Sequence, residues 1–344
     1  MNITERMKHF NLPGLGATCF ADGKIKWNKS FGKLEKETDK LVNENSIFHA
    51  CSMSKMITAI CVLKLAQDGL LDLYKDVNEY LTSWKLPDNK FTQMKKITLA
   101  NLLSHQAGLR DYGNVFSPYK GGDAEFSLIE ILNKSVNIQY EPETDCEYSD
   151  AGYCIISQVI FDVLGETMPQ VASRLIFEPL GLTRTFFWEF SKNKHGGISL
   201  DDCAVGHDKN GNVVKEIRAV YPNTAGAGLW TTPKEFATIT LELLQSYHRS
   251  SYLLLNQKMA RLMLTPYGCT DDVGLGIFVF KDKNGEPCFV SQGWGVGVQC
   301  KLLCYHKKKS GIIVMTNSDP GKDQNNSLIG EVIRHVFASE DSNL

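Results

Sequence analysis

The feature that most constrains the fold is a set of strand-like runs that occur at both ends of the chain. Near the N-terminus, LGATCFAD and KIKWNKSFG flank an Asp22-Gly23 turn, which predicts a β-hairpin. Near the C-terminus, four runs follow one another at short spacing: VGLGIFVFKD, EPCFVSQG, GVQCKLLCYHK and GIIVMTNS. If the hairpin joins these four runs, one antiparallel sheet contains both ends of the chain.

Short helical patterns fill the middle of the chain, where no strong strand signal occurs. TTPKEFATITLELLQSY then begins with a threonine cap and a first-turn proline, and LIGEVIRHVFA is amphipathic, so each predicts a helix. We therefore predict an α/β (α+β) fold, in which an antiparallel sheet of N- and C-terminal strands is flanked by helices. This sheet domain comprises residues 1–70 and 220–344, and residues 71–219 form a mainly helical inserted domain.

Composition excludes several classes of function. The formal net charge of −2 gives no electrostatic reason to expect nucleic-acid binding. No window approaches the roughly 18 uninterrupted apolar residues of a membrane span. The first residues, MNITERMKHFNLPGLG, lack the apolar core of a signal peptide, so the chain as given is expected to be cytoplasmic, although removal of a leader would leave the same sequence.

The ten cysteines are scattered, mostly within apolar runs, and we interpret them as small core residues. Cys300 and Cys304 are close in sequence, but four residues of a strand span about 13 Å, which is too far for a disulfide. Unpaired thiols in this number favour a reducing compartment. We expect neither a metal nor a cofactor.

Ser52 and Lys55 form an S-x-x-K pair at the start of an apolar helical pattern that extends to Asp68 and is ended by Gly69. Residues three apart share one face of a helix, so the amine can reach the hydroxyl. Serine needs a neighbouring base to become a nucleophile, and a helix N-terminus offers free N–H groups to an oxyanion. The alternative is that Ser52 or Ser54 only caps the helix and that Lys55 is a surface residue.

Several longer segments favour the catalytic alternative. FHACSMSKMITAICVLKLAQDGLLDLYKDVNEYL resembles the nucleophile helix of the penicillin-recognising serine acyl-enzymes: class C-type β-lactamases, D-Ala-D-Ala carboxypeptidases and related esterases. ITLANLLSHQAGL, YSDAGYCIISQVI, IFEPLGLTRTFF and AGAGLWTTPKEFA are similar to later segments of that family, in the same order. The resemblance covers almost the whole chain and implies a β-lactamase/transpeptidase-like fold with its active site between the two domains.

The resemblance implies roles for individual residues. Ser52 matches the nucleophile, Lys55 the amine that activates it, and Tyr148 the residue that transfers protons to and from the leaving group. Asp150 stands where the family commonly has asparagine. Either Asp150 pairs with Lys55 or it tunes substrate choice, and pairing would keep Lys55 protonated and shift the role of base towards Tyr148. His105 lies in the LLSHQAGL segment, where the resemblance implies a structural role.

The third family motif, lysine-threonine-glycine or histidine-x-glycine, is matched best by Ser291-Gln292-Gly293, in which the cation is missing. That cation assists proton movement or receives a substrate carboxylate, so turnover of β-lactams and D-alanyl peptides is in doubt. The resemblance implies that the backbone N–H groups of Ser52 and Trp294 would still form the oxyanion hole. Trp294 and Trp230 are further candidates for lining an acyl pocket, and for Trp230 we expect packing.

We therefore expect a serine hydrolase that forms an acyl-enzyme on Ser52 with a small-molecule or short-peptide substrate. A β-lactam, a D-amino-acid peptide and a small ester all fit this machinery. The competing hypothesis is a catalytically weak binding or scaffold protein that keeps the fold, because Asp150 and Ser291 both depart from the family pattern.

Overall fold

The computed structural model describes residues 1–112, 115–118, 126–188, 198–214, 218–249 and 251–338. The strands are β1 Gly14–Ala21, β2 Lys24–Gly32, β3 Phe48–Cys51, β4 Phe186–Phe187, β5 Leu229–Thr231, β6 Phe278–Lys281, β7 Pro287–Gly295, β8 Val298–Tyr305 and β9 Ser310–Thr316. The helices are α1 Ile3–His9, α2 Ser54–Gln67, α3 Lys90–Met94, α4 Leu99–Leu103, α5 Leu128–Ser135, α6 Ala151–Leu164, α7 Met168–Ala172, α8 Thr224–Ala227, α9 Pro233–Tyr247, α10 Gln257–Met263 and α11 Leu328–Ala338.

Six strands form one antiparallel sheet in the order β2-β1-β9-β8-β7-β6. The predicted hairpin and the four predicted C-terminal strands are therefore confirmed, and both ends of the chain share the sheet. The hairpin turn places Asp22 and Gly23 at φ of 54° and 72°, a conformation that suits a two-residue turn between twisted strands. The mixed α/β architecture agrees with the predicted fold class.

Both faces of the sheet are covered by helices. Leu15 and Ile312 belong to a core cluster with residues of α1 and α11, which confirms that the C-terminal helix packs on the sheet. Their neighbours along the strands, such as Ile313, point to the other face and join the larger core with α2 and α9. Alternation along each strand supplies apolar side chains to both faces, which explains why the strand-like runs are almost continuously apolar.

A second, three-stranded sheet has the order β3-β5-β4 and was not predicted. Its strands are two to four residues long, too short to show alternation. The predicted helix start at Ser52 was also two residues early, because α2 begins at Ser54. The described residues between 71 and 219 contribute α3–α7 and β4 but no strand of the six-stranded sheet, and the division into two domains stays a prediction.

No helix within the described ranges is long and apolar enough to cross a bilayer. All ten cysteines are free thiols, and eight of them are buried, as expected for small core residues.

Candidate active site

Ser52 lies in the turn that joins β3 to α2. Cys51, the residue before it, has a φ of 46°, which is uncommon for a residue with a side chain. The Met53 N–H donates to the Ala50 carbonyl, and the Lys55 N–H donates to the Ser52 carbonyl. Within the part of the chain that the structure describes, the N–H of Ser52 has no acceptor. The turn therefore leaves both the hydroxyl and the N–H of Ser52 available to a bound group.

Lys55 is the second residue of α2, and its side chain is only 4% exposed. Its ammonium donates to Asp150 Oδ1 at 2.6 Å, to the Gly226 carbonyl at 3.0 Å and to Ser52 Oγ at 3.5 Å. Burial lowers the pKa of Lys55, but the Asp150 carboxylate and the Tyr148 hydroxyl outweigh burial, and the pKa lies above its ordinary value. Of the two roles open to Asp150, pairing with Lys55 is the one found.

Tyr148 reaches the same place from the chain segment before α6. The Lys55 Nζ lies 4.7 Å from the centroid of the Tyr148 ring, and the hydroxyl interacts with the Lys55 and Ser52 side chains. The residue as a whole is 42% exposed. Desolvation of the hydroxyl raises the pKa of Tyr148, and the nearby Lys55 ammonium only partly opposes that rise. The phenol is therefore protonated at neutral pH.

Asp111 holds the segment that carries Tyr148 and Asp150, and no sequence pattern assigned it a role. Its carboxylate accepts from the Asp150 N–H at 2.6 Å, the Ala151 N–H at 3.2 Å and the Ser149 hydroxyl at 2.7 Å. Asp111 thus occupies the N-terminus of α6, where free N–H groups need an acceptor. Burial raises the pKa of Asp111.

Gly226 is the second residue that the sequence did not assign. A Cβ at this position would lie 3.2 Å from Lys55 Nζ, 3.1 Å from Asp150 Oδ1 and 2.8 Å from the Asn223 amide nitrogen. Glycine is needed here because α8 approaches the ion pair so closely that its backbone carbonyl binds the ammonium.

The inner end of β7 forms the opposite wall of the cleft. β6 pairs with β7 only from Pro287 to Val290, so beyond Val290 this edge of β7 has no partner strand among the described residues. Gly293 packs against β3: a Cβ on it would lie 2.2 Å from the Ala50 carbonyl oxygen. Ser291 is 4% exposed, and Trp294 is 46% exposed. An open strand edge beside Ser52 suits the predicted oxyanion hole, and the roles of Gly293 and Trp294 stay predictions.

A narrow cavity of about 20 Å³ brings the two walls together. Its lining includes Ser52, Lys55, Tyr148, Ser291 and His105. The structure thus brings together the three predicted catalytic residues, and it places the third-motif serine opposite them. Lys55 is the only cation among the described lining residues, because burial and Lys55 lower the pKa of His105 to about 3.

Trp230 is 1% exposed and stacks on His49 with 4.8 Å between ring centroids, which confirms the expected packing role. A separate apolar cavity of about 410 Å³, lined by Phe161, Met168 and Trp188 among others, does not include Ser52. Among the described residues, no group of three or more His, Cys, Asp or Glu side chains is placed to hold a metal ion.

Comparison with known proteins identifies the family. A model of the family described as Beta-lactamase matches residues 2–332. The chain belongs to the Beta-lactamase family. The resemblance to penicillin-recognising serine acyl-enzymes is therefore confirmed, and the chain has the serine hydrolase fold of this family.

The proteins that are similar to this chain carry several different names. Protein flp of Staphylococcus aureus (strain N315) is 23% identical, and the match covers 97% of this chain but only 64% of that relative's length. The putative penicillin-binding protein PbpX of Bacillus subtilis is 25% identical over 97% of this chain and 77% of its own. The crystal structure of D-amino acid amidase from Ochrobactrum anthropi SV3 with D-phenylalanine superimposes with a TM-score of 0.76 at 18% identity, and the match covers both chains completely.

Proposed function

We propose that this protein is a serine hydrolase that cleaves an amide or ester through an acyl-enzyme on Ser52. The observation that carries the proposal is the convergence of three groups from distant parts of the chain. The Lys55 ammonium lies 3.5 Å from Ser52 Oγ and 4.7 Å from the centre of the Tyr148 ring. A hydroxyl, a cation and a phenol in mutual contact are the parts that acyl transfer requires.

The ion pair decides which group acts as base. Because Asp150 and the Gly226 carbonyl hold Lys55 as an ammonium, Lys55 cannot accept the proton of Ser52. Tyr148 accepts that proton when it is a phenolate, and the ammonium beside it stabilises this form. Desolvation raises the Tyr148 pKa, so the phenolate fraction at neutral pH is small. We therefore expect activity that increases with pH well above neutrality.

The catalytic cycle follows from these positions. As Ser52 Oγ attacks the carbonyl carbon, its proton moves to Tyr148, and the oxyanion binds the free Ser52 N–H and the open edge of β7. Tyr148 then gives the proton to the leaving group as the carbon–leaving-group bond breaks. Water, deprotonated by Tyr148, attacks the acyl-enzyme and releases the acid and free Ser52.

Amide and ester substrates differ in how much they need the missing cation. D-Phenylalanine is bound in the neighbour named D-amino acid amidase, and D-amino-acid amides without a free carboxylate are therefore substrates to test. Small esters are activated acyl donors and need less assistance at the leaving group. We propose both classes ahead of β-lactams, because the cavity around Ser52 offers a β-lactam carboxylate no free cation among its described residues.

One observation favours the second candidate function, a catalytically weak binding protein. The Lys55–Asp150 ion pair at 2.6 Å keeps the amine from acting as a base, and Tyr148 is protonated at neutral pH. A protein that binds without turnover would retain the cleft but would not acylate Ser52.

Labelling with a fluorophosphonate and with a fluorescent penicillin, followed by intact mass, separates the two functions. We expect a stable fluorophosphonate adduct on the parent chain at pH 9 and none on Ser52→Ala. Hydrolysis of p-nitrophenyl butyrate, D-phenylalanine amide and nitrocefin then ranks the substrate classes. If neither probe labels the folded parent at any pH from 7 to 10, the hydrolase proposal is wrong.

A further inference from the structure

A cavity of about 420 Å³ opens beside the Ser52 cavity on the Tyr148 side. The two cavities share His105, Tyr148 and Phe278, so a group bound at Ser52 extends directly into the larger space. Because Tyr148 is the residue that would protonate a leaving group, this space is where the leaving group would lie. Besides His105, its lining comes from two segments and one further residue: Thr144, Asp145, Cys146 and Tyr148; Cys269, Thr270, Asp272 and Val273; and Phe278.

His105 presents a hydrogen-bond donor to this space. Its Nδ1 accepts from the Ser149 N–H at 3.1 Å, so the proton of the neutral imidazole is on Nε2. The side chain is only 7% exposed, and Nε2 has no hydrogen-bond partner among the described residues. Its ring contacts Tyr148, with centroids 4.4 Å apart. The His105 side chain is largely buried, and a donor without a protein partner on the wall of a cavity indicates a site for a ligand acceptor.

The charged side chains that line this cavity are carboxylates. Asp145 and Asp272 line the cavity, and neither forms an ion pair within the described ranges. Asp145 Oδ1 accepts the Cys146 N–H, and Asp272 accepts the Thr270 hydroxyl. The nearby carboxylates Glu143 and Glu147 are already paired with the side chains Lys95 and Arg110, respectively. Among the residues that the structure describes, no lysine or arginine lines the cavity.

We propose that the protein selects substrates by the charge of the leaving group, preferring cationic to neutral and neutral to anionic groups, with His105 donating a hydrogen bond to the leaving group. This inference rests on the proposed hydrolase function. The two carboxylates attract an ammonium and repel a carboxylate, and because both are exposed, the effect is strongest at low salt. Ser291 on the opposite wall adds no charge.

Three butyrate esters of meta-substituted phenols test the order directly. Their phenols carry a carboxylate, a carboxamide or an aminomethyl group, and each kcat/KM is divided by the rate constant of hydroxide hydrolysis to remove differences in leaving-group reactivity. We expect the aminomethyl ester to exceed the carboxylate ester by about tenfold at low salt, with the carboxamide between them.

Variants assign the effect to named residues. The double variant Asp145→Asn/Asp272→Asn should remove the difference in normalised kcat/KM among the three esters. Asp271→Asn, which changes an adjacent carboxylate outside the cavity lining, should preserve that difference. His105→Phe keeps a ring beside Tyr148 but removes the Nε2 donor together with the acceptor of the Ser149 N–H, and kcat should fall for all three esters. His105→Asn restores a donor in a residue that tolerates the φ of 60° at this position, so kcat should partly recover.

The outcomes distinguish this inference from the proposed function. A fluorophosphonate loses only fluoride and places no charged substituent in the leaving-group cavity, so labelling of each variant reports a folded and reactive Ser52. If Ser52 is labelled but the three esters show no order, or the carboxylate ester is preferred, the charge-selection inference is overturned and the hydrolase function stands. If His105→Phe leaves kcat unchanged, His105 is not a leaving-group donor. Absence of labelling on the parent chain overturns both proposals.

Discussion

Helix α2 carries an ion pair at each end, and the two pairs differ in almost every physical respect. Near its N-terminus, Lys55 pairs with Asp150 at 2.6 Å, and the side chains are 4% and 24% exposed. Near its C-terminus, Lys64 pairs with Asp68 at 3.2 Å, and the side chains are 21% and 40% exposed. The first pair joins residues 95 positions apart, and the second joins residues four apart.

The comparison shows what burial does to a charge. Lys64 remains in contact with water, so its pairing replaces hydration at little net gain. Lys55 has lost nearly all of its hydration, and only the combined contacts with Asp150, the Gly226 carbonyl and Ser52 make its charge tolerable. The buried pair therefore affects both the stability of the protein and the protonation states in the site, whereas the exposed pair affects neither.

Removing Lys55 should have the largest effect. In Lys55→Ala, the partly buried Asp150 side chain loses its ion-pair partner, so we expect a loss of about 3 kcal/mol of unfolding free energy and no labelling of Ser52. Urea unfolding measures the stability. Lys55→Met/Asp150→Asn, which removes both charges, should recover most of it without restoring labelling. An equal loss in the double variant would show that the charge is not the cause.

Removing Asp111 should have the next largest effect, because it leaves the N-terminus of α6 and the Ser149 hydroxyl without their acceptor. We expect Asp111→Ala to lower the unfolding free energy by about 1–3 kcal/mol and to reduce kcat as Tyr148 loses its position. Asp111→Asn keeps an acceptor oxygen and serves as the matched control. If kcat is unchanged in Asp111→Ala, the capping of α6 by Asp111 does not contribute to catalysis.

Neutralising Asp150 should shift the pH dependence. The Asp150 charge raises the pKa values of both Lys55 and Tyr148. In Asp150→Asn both pKa values fall, so the base form becomes populated at lower pH. We expect the ascending limb of the plot of log kcat/KM against pH to move towards neutrality. For a decrease of one pKa unit, kcat/KM at pH 7 should increase about tenfold. A limb that stays in place would show that neither group is the base.

The exposed pair should give the smallest effect. Lys64→Ala removes only an i,i+4 contact, and we expect a change in unfolding free energy of about 0.3–0.5 kcal/mol that disappears in high salt. Labelling of Ser52 and the pH profile should not change. A larger loss would contradict the view that burial, and not pairing as such, distinguishes the two ends of α2.

Several elements were predictable because their signals are local. The Asp22-Gly23 turn, the Thr232 cap of α9 and the apolar pattern of α11 each depend on residues within a few positions of one another. The S-x-x-K spacing is local as well, and the resemblance of a later segment to the family added Tyr148 to the candidate site. The short sheet β3-β5-β4 was missed because two to four residues do not establish a period.

Asp111 and Gly226 were not predictable, since their roles depend on distant partners. Asp111 lies 38 positions from Ser149, and Gly226 lies 171 positions from Lys55. Aspartate and glycine are common residue types, and nothing in their immediate neighbours distinguishes a cap or a close approach. For Asp150 the sequence left two roles open, and only the contact with Lys55 separated them.

The amino-acid sequence alone was enough to predict the strands of the six-stranded sheet, several of the helices and the family of this protein, and to select Ser52 as the candidate nucleophile, because these depend on local periodicity and on motifs of a few residues. The tertiary structure decided the charge state of the site, namely that Lys55 is held as an ammonium by Asp150 and Gly226 and that Tyr148 stays protonated near neutrality. The reason is physical: a pKa depends on burial and on charges within a few ångströms, and folding assembles those neighbours from distant parts of the chain.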